Sequence, residues 1–171
     1  KINPRTIIDP SSDPAISRVE VVQSINTPKL PIRIPKYHWV KDKPDSRDYL
    51  YKPAAAPLTS SVDLRRYCSP IENQGNLGSC TGNAIAGAIE YLNIKNNKSL
   101  DVSRLFIYYY ERLLEGTVNS DAGAYIRDGI KATYKYGASL EKLWPYDVTK
   151  VRSQPNPAAI TDGARRKVTL Y

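Results

Sequence analysis

One stretch of the chain, Asn73-Gln74-Gly75-Asn76-Leu77-Gly78-Ser79-Cys80-Thr81, combines residue types that could do chemistry. A glycine-rich loop delivers a cysteine to the point where a helical pattern begins. A helix N-terminus carries about half a positive charge, which stabilises a thiolate over a thiol. Its unpaired backbone N–H groups can also hold a developing oxyanion. Gln74, six residues before Cys80, has an amide that would add a second oxyanion donor if the loop folds back. Gly75 and Gly78 permit such a fold and let a substrate backbone come close. The same residues also suit a plain glycine turn in front of a buried cysteine.

Three helices follow from the apolar spacing. Ser79–Lys95 places Ile85, Ile89 and Leu92 at i, i+4 and i+7. Its small residues Ala84, Ala86, Gly87 and Ala88 predict a helix packed closely on all sides. Ser103–Glu115, capped by Ser103 or Asp101 and ended before Gly116, carries a stripe of Leu105, Phe106, Tyr109 and Leu113. Ala124–Tyr136 carries Ile126, Ile130 and Tyr134 and stops at Gly137. After Trp144-Pro145-Tyr146 the pattern is irregular, and Arg165–Tyr171 reads as the start of a strand.

The first sixty residues are different in kind. They hold nine of the 13 prolines and none of the 9 glycines, a composition that favours extended backbone. We read 1–60 as an extended arm with one short strand at Ser17–Val22, and 61–171 as a globular lobe. Lys36-Tyr37-His38-Trp39 and Asp45-Ser46-Arg47-Asp48-Tyr49 are too aromatic for a pure linker, so this part of the arm is expected to pack on something.

Composition narrows the functional classes. A chain of 171 residues with 41% hydrophobic and 25% charged residues has the make-up of a globular domain plus an extension. No run approaches the ~20 apolar residues of a membrane span, and no signal-peptide pattern opens the chain. The net charge of +8 would favour an anionic partner. Basic and acidic residues are interspersed, however, and no nucleic-acid motif occurs, so none is expected as a partner. Tyr108-Tyr109-Tyr110 on a helix cannot all face one ligand, and core packing is the simpler role. Two cysteines, Cys68 and Cys80, make neither a disulfide framework nor a zinc site, though they could form one bridge. No metal or cofactor is expected. The lack of any methionine, at position 1 included, points to a processed or excerpted product.

Residues 62–92, from Val62-Asp63-Leu64-Arg65 through Asn73-Gln74-Gly75 and Gly78-Ser79-Cys80, resemble the start of the mature domain of papain-like cysteine peptidases. The resemblance runs in order over about 45–147. Asp121-Ala122-Gly123-Ala124 is similar to the segment lining the non-primed substrate cleft. Gly137-Ala138-Ser139-Leu140-Glu141 to Trp144-Pro145-Tyr146 is similar to the family's Gly…Glu…Tyr-Pro-Tyr passage, and Asp45–Tyr49 to the lead-in of bacterial and viral members. The resemblance implies an α+β papain-like fold, here its mainly helical N-terminal lobe behind the arm, with the β-rich lobe missing. It further implies Cys80 as nucleophile, Gln74 as oxyanion donor, Gly78 and Ser79 shaping the loop, and Gly123 bonding an extended peptide. The reaction would be acyl transfer from a polypeptide substrate through a thioester.

Three departures qualify that picture. Thr81 stands where an aromatic is usual. Leu77 stands where secreted relatives have a bridged cysteine. The family's His and Asn lie about 130–150 residues beyond the Cys, past Tyr171. The one histidine, His38, lies upstream beside Trp39 and reads as an aromatic packing residue rather than the base. The resemblance therefore implies the nucleophile half of a peptidase, its open face covered by a second chain, by the rest of a cleaved precursor, or by a large assembly. The competing reading is an inactive papain-like structural protein, for instance in a viral particle. By the same analogy the arm is a propeptide or a tether, and a secreted or virion-associated setting fits better than a membrane.

Overall fold

In a computed structural model, residues 39–50, 52 and 59–169 are described, and all belong to one unit of the chain. The expected strand at Ser17–Val22 and His38 lie outside the described residues. The elements are β1 (Trp39–Val40), a 3-10 turn (Arg65–Tyr67), α1 (Cys80–Lys95), α2 (Arg104–Glu115), β2 (Ala124–Tyr125), α3 (Ile126–Lys135), a second 3-10 turn (Val148–Lys150) and α4 (Pro157–Ala164). Among the described residues, no helix is long and apolar enough to cross a membrane.

The centre of the fold is α2. Ser103 caps it by accepting the Phe106 N–H at 3.1 Å, and Gly116 ends it in the left-handed conformation at φ 71°. Every residue from Arg104 to Arg112 is buried, the three consecutive tyrosines included. The expected stripe of four is thus too narrow on one side and too long on the other, because Leu113 is exposed. Neighbours surround the helix: α1 and α3 pack against it, and Gly163 of α4 sits on the Phe106 ring.

Two glycines permit that crowding. A Cβ on Gly82 of α1 would lie 2.9 Å from the Arg104 carbonyl, and one on Gly129 of α3 would collide with Ile85 and Glu111. Close approach through Gly129 also explains a correction. The α3 face turned inward is Gly129, Ala132 and Thr133, so Ile130 and Tyr134, expected in the core, are exposed. Its start moves too, since Ala124 and Tyr125 are extended and pair in parallel with Trp39 and Val40.

Helix α1 is corrected in the same way. Thr81, Gly82, Ile85, Ala86 and Glu90 face inward. Ala84, Ala88 and Leu92 are exposed, and a Cβ on Gly87 would meet nothing within 4 Å. The helix is packed on one side rather than on all.

Helix α4 replaces the expected irregular stretch. Its cap is legible in hindsight, with Asn156 accepting the Ala159 N–H at 2.8 Å and Pro157 in the first turn. The described part of the expected final strand, 165–169, is not extended into a sheet. Its backbone serves α3's C-terminal end instead, where Ala138 N–H donates to Arg166 O and Val168 N–H to Thr133 O.

Residues 39–48 are fastened to the lobe beyond β1. Asp42 accepts the Arg127 N–H in the first turn of α3, and the Asp45–Asp48 turn clasps the Arg127 guanidinium through Asp48 at 2.8 Å and Asp45 at 3.7 Å. The expectation that Asp45–Tyr49 packs on something holds for its two aspartates, whereas Tyr49 itself is fully exposed.

Two carboxyls, Glu111 and Glu141, each have one buried oxygen without a hydrogen-bond partner, and Glu111 is the more deeply buried. Glu111 Oε2 accepts the Thr81 hydroxyl at 2.7 Å, but Oε1 has no partner. Burial pushes this carboxyl up to about 8 from an ordinary 4.5, the Thr81 bond opposing the shift. A raised carboxyl stabilises the fold fully below 4.5 and loses that contribution as pH rises through 8. Thermal unfolding between pH 5 and 9 should therefore show the melting temperature falling with pH, and Glu111→Gln should flatten the fall.

Candidate active site

Leu77 is buried and anchors the loop that precedes α1. The next residue is held from across the fold: Gly78 N–H donates to both oxygens of Asp121, at 3.0 and 2.9 Å. Asp121 also accepts the Tyr108 hydroxyl at 2.5 Å, and that hydroxyl accepts the Gly123 N–H at 3.2 Å. Burial, reinforced by Asp121, pushes the Tyr108 phenol far above its usual range, so it remains a donor. One carboxylate thus joins the loop before Cys80 to the segment around Gly123.

Ser79 is fully buried, and its carbonyl accepts the Asn83 N–H at 3.0 Å, which opens the helix. Its hydroxyl makes no cap on α1. Cys80 is therefore the first residue of a helix whose opening amides receive nothing from the usual capping side chain, the arrangement in which amides can serve a ligand. The thiol is half-buried and free. Cys68, on the exposed turn after Arg65–Tyr67, is also free, so the optional bridge between them is not made.

Gln74 is half-buried, and its amide donates to Leu77 O at 2.8 Å within the same loop. A carboxamide has two N–H donors, so this bond orients the group without exhausting it. Gly75 makes the turn at φ 62°, with its N–H held by Asn73. Gln74, Gly78, Ser79 and Cys80 are thereby gathered at one loop–helix junction. Gly123 joins it only through Tyr108 and Asp121, and its N–H is occupied by the Tyr108 hydroxyl. Directly after Gly123, β2 carries the arm strand β1.

Sequence reasoning placed Asp121 in the cleft-lining segment without a role of its own and read Tyr108 as core packing, so it missed the bond network the two make at the site. Asp121 is 43 residues from its partner Gly78, and no local pattern announces a contact of that span. The described residues contain no histidine and no group of three or more His, Cys, Asp or Glu able to hold a metal.

No family model matches the chain. It is 39% identical over 157 residues to an uncharacterized peptidase C1-like protein of Acanthamoeba polyphaga mimivirus, a match covering 79% of this chain and 50% of that protein. Its fold superposes on the crystal structure of xylellain, a cysteine protease from Xylella fastidiosa, with a TM-score of 0.68 and 39% identity, covering 78% of this chain and 56% of that one. The chain has a papain-like fold and is similar to cysteine peptidases of that family over most of its length. The helical lobe described above is the part of the papain-like fold it carries. This papain-like chain spans about half the length of the relatives it matches.

The Asp121 linkage is open to direct test. Asp121→Ala leaves Gly78 N–H and the Tyr108 hydroxyl without their acceptor, and stranded buried donors cost roughly 1–3 kcal/mol. Denaturant unfolding should show a loss of that order, with faster amide exchange at Gly78. An unchanged midpoint would show that the carboxylate holds nothing.

Proposed function

We propose that this chain supplies the nucleophile half of a peptidase that cleaves polypeptides through a cysteine thiolate. The observation that supports it most is Cys80 at the uncapped N-terminus of α1, on a loop tied to the cleft-lining segment through Asp121. The Cys80 thiolate attacks the peptide carbonyl carbon, a C–S bond forms, and the negative charge moves to the carbonyl oxygen. The Cys80 N–H and the Gln74 amide hold that oxygen. Collapse breaks the C–N bond and releases the amine, which takes up the proton carried by a histidine, and water then hydrolyses the thioester. Gly78 and Ser79 shape the loop, and Gly123 flanks the bound peptide. The histidine and its asparagine come from a second chain or from a C-terminal lobe of the same precursor, seated on the exposed face of α1.

The alternative reading is an inactive papain-like structural component of a larger assembly such as a virion. An epoxide-type thiol probe separates the two. With a histidine-bearing partner present, Cys80 should be labelled faster than Cys68; equal, slow labelling of both would sink the catalytic reading.

Residues 1–60 act in this scheme as a propeptide-like arm or a tether, with 39–48 lying along β2 and the start of α3. Mass spectrometry of the termini distinguishes the two roles. A propeptide is cut near 58–62, whereas a tether stays intact in the mature material.

A further inference from the structure

Tyr146 lies half-buried beneath the loop that carries Cys80, yet no step above uses it. Its hydroxyl donates to the Gln74 carbonyl at 3.0 Å and lies 2.5 Å from Ser79 Oγ. A phenol has one proton, and that proton goes to Gln74, so Ser79 must donate to the phenol oxygen. Ser79 Oγ in turn accepts from Asn83 Nδ2 at 3.0 Å. The direction of the chain is fixed throughout: Asn83 to Ser79, Ser79 to Tyr146, Tyr146 to Gln74.

The ring itself is clamped. The Arg104 guanidinium stacks 4.1 Å above it, and Arg104 also reaches Asn83 Oδ1 at 3.3 Å, Glu72 at 2.9 Å and Glu141 at 3.8 Å. Glu141 Oε1 accepts the Tyr146 N–H at 2.5 Å. Arg104, Asn83, Ser79, Tyr146 and Glu141 therefore form a closed ring of contacts, which reaches the loop's far end through the Tyr146 bond to Gln74 and through Arg104, which donates to the Asn73 carbonyl at 3.5 Å and pairs with Glu72.

We propose that Tyr146 is a positioning residue that fixes the two oxyanion donors relative to each other. The inference rests on the peptidase reading above. The two donors stand at opposite ends of the loop, Gln74 at its start and the Cys80 N–H directly after Ser79. Between them lie Gly75 and Gly78, whose backbones resist deformation least. Tyr146 bonds to the first end and to the residue adjoining the second, so its one hydroxyl ties both ends of the loop together directly, alongside the local Gln74–Leu77 bonds and the Arg104 bond to Asn73. A misplacement of about 1 Å at such a site costs on the order of 100-fold in rate.

The test uses the protein expressed from its complete coding sequence and fluorogenic peptide amides as substrate. Tyr146→Phe keeps the ring under Arg104 and removes only the hydroxyl. It should lower kcat by roughly 10- to 100-fold with KM within about twofold. Gln74→Ala should cost less in the Phe background than in the parent, because the donor it removes is already misplaced. A kcat within twofold of the parent, a loss confined to KM, or an equal Gln74→Ala effect in both backgrounds would overturn the proposal. If Tyr146→Phe fails to fold, Ser79→Ala breaks the same tie from the other side and is read by the same criteria. An inactive parent protein is a separate outcome: it removes the peptidase reading, and this inference with it.

Discussion

A helix with no solvent face has to find an internal partner for every polar group it carries. Helix α2 is such a helix from Arg104 to Arg112, and that stretch is not apolar: Arg104, Tyr108, Glu111 and Arg112 are all buried. The search for partners organises the lobe. Arg104 reaches to Glu72, Asn83 and Tyr146, and Tyr108 reaches to Asp121 and Gly123. Glu111 takes the Thr81 hydroxyl beside Cys80. Arg112 gathers the carbonyls of Val118, Ser120 and Val151 while stacking on Tyr108, and so holds the chain leading into Asp121. Three of these four side chains end within the loop–helix junction or in direct contact with a residue that does. The site is assembled as the solution to a burial problem in the helix behind it.

The parts of this arrangement that were legible in the sequence are the local ones. Helix α2 and its ends could be read because Ser103 and Gly116 act within a turn of where they stand. The glycine-rich approach to Cys80 could be read because turn chemistry and helix initiation are properties of neighbouring residues. The family resemblance added the order of segments. What could not be read depends on contacts between distant residues. Ile130 and Tyr134 have the spacing of a core stripe, but Gly129 decides which face of α3 goes inward by admitting Glu111 and Ile85. The Gly78–Asp121 pairing spans 43 residues, and nothing near either end signals it. Helix α4 was lost for another reason: with eight residues and an internal glycine, it shows too little periodicity, although its Asn156-Pro157 start is an ordinary cap.

The two faces of α1 differ in a way that bears on function. Inward, Gly82 lets the helix approach α2 to backbone contact, which fixes the position of its first residue, Cys80. Outward, Ala84, Ala88 and Leu92 are exposed. A nucleophile at the end of a helix so exposed along one side has a rigid back and an open front. That suits a residue whose remaining chemistry is delivered from elsewhere.

The anchorage of the Cys80 loop has a further consequence. Leu77 occupies the position at which secreted relatives place a bridged cysteine, and here the neighbouring Gly78 is fastened by a carboxylate instead. A disulfide at that point would make the shape of the site depend on the thiol–disulfide poise of its surroundings. Hydrogen bonds to Asp121 carry no such dependence. The loop can be assembled in a reducing milieu, where a free Cys80 thiol is also preserved, and the same reductant that protects the sulfur leaves its scaffold intact.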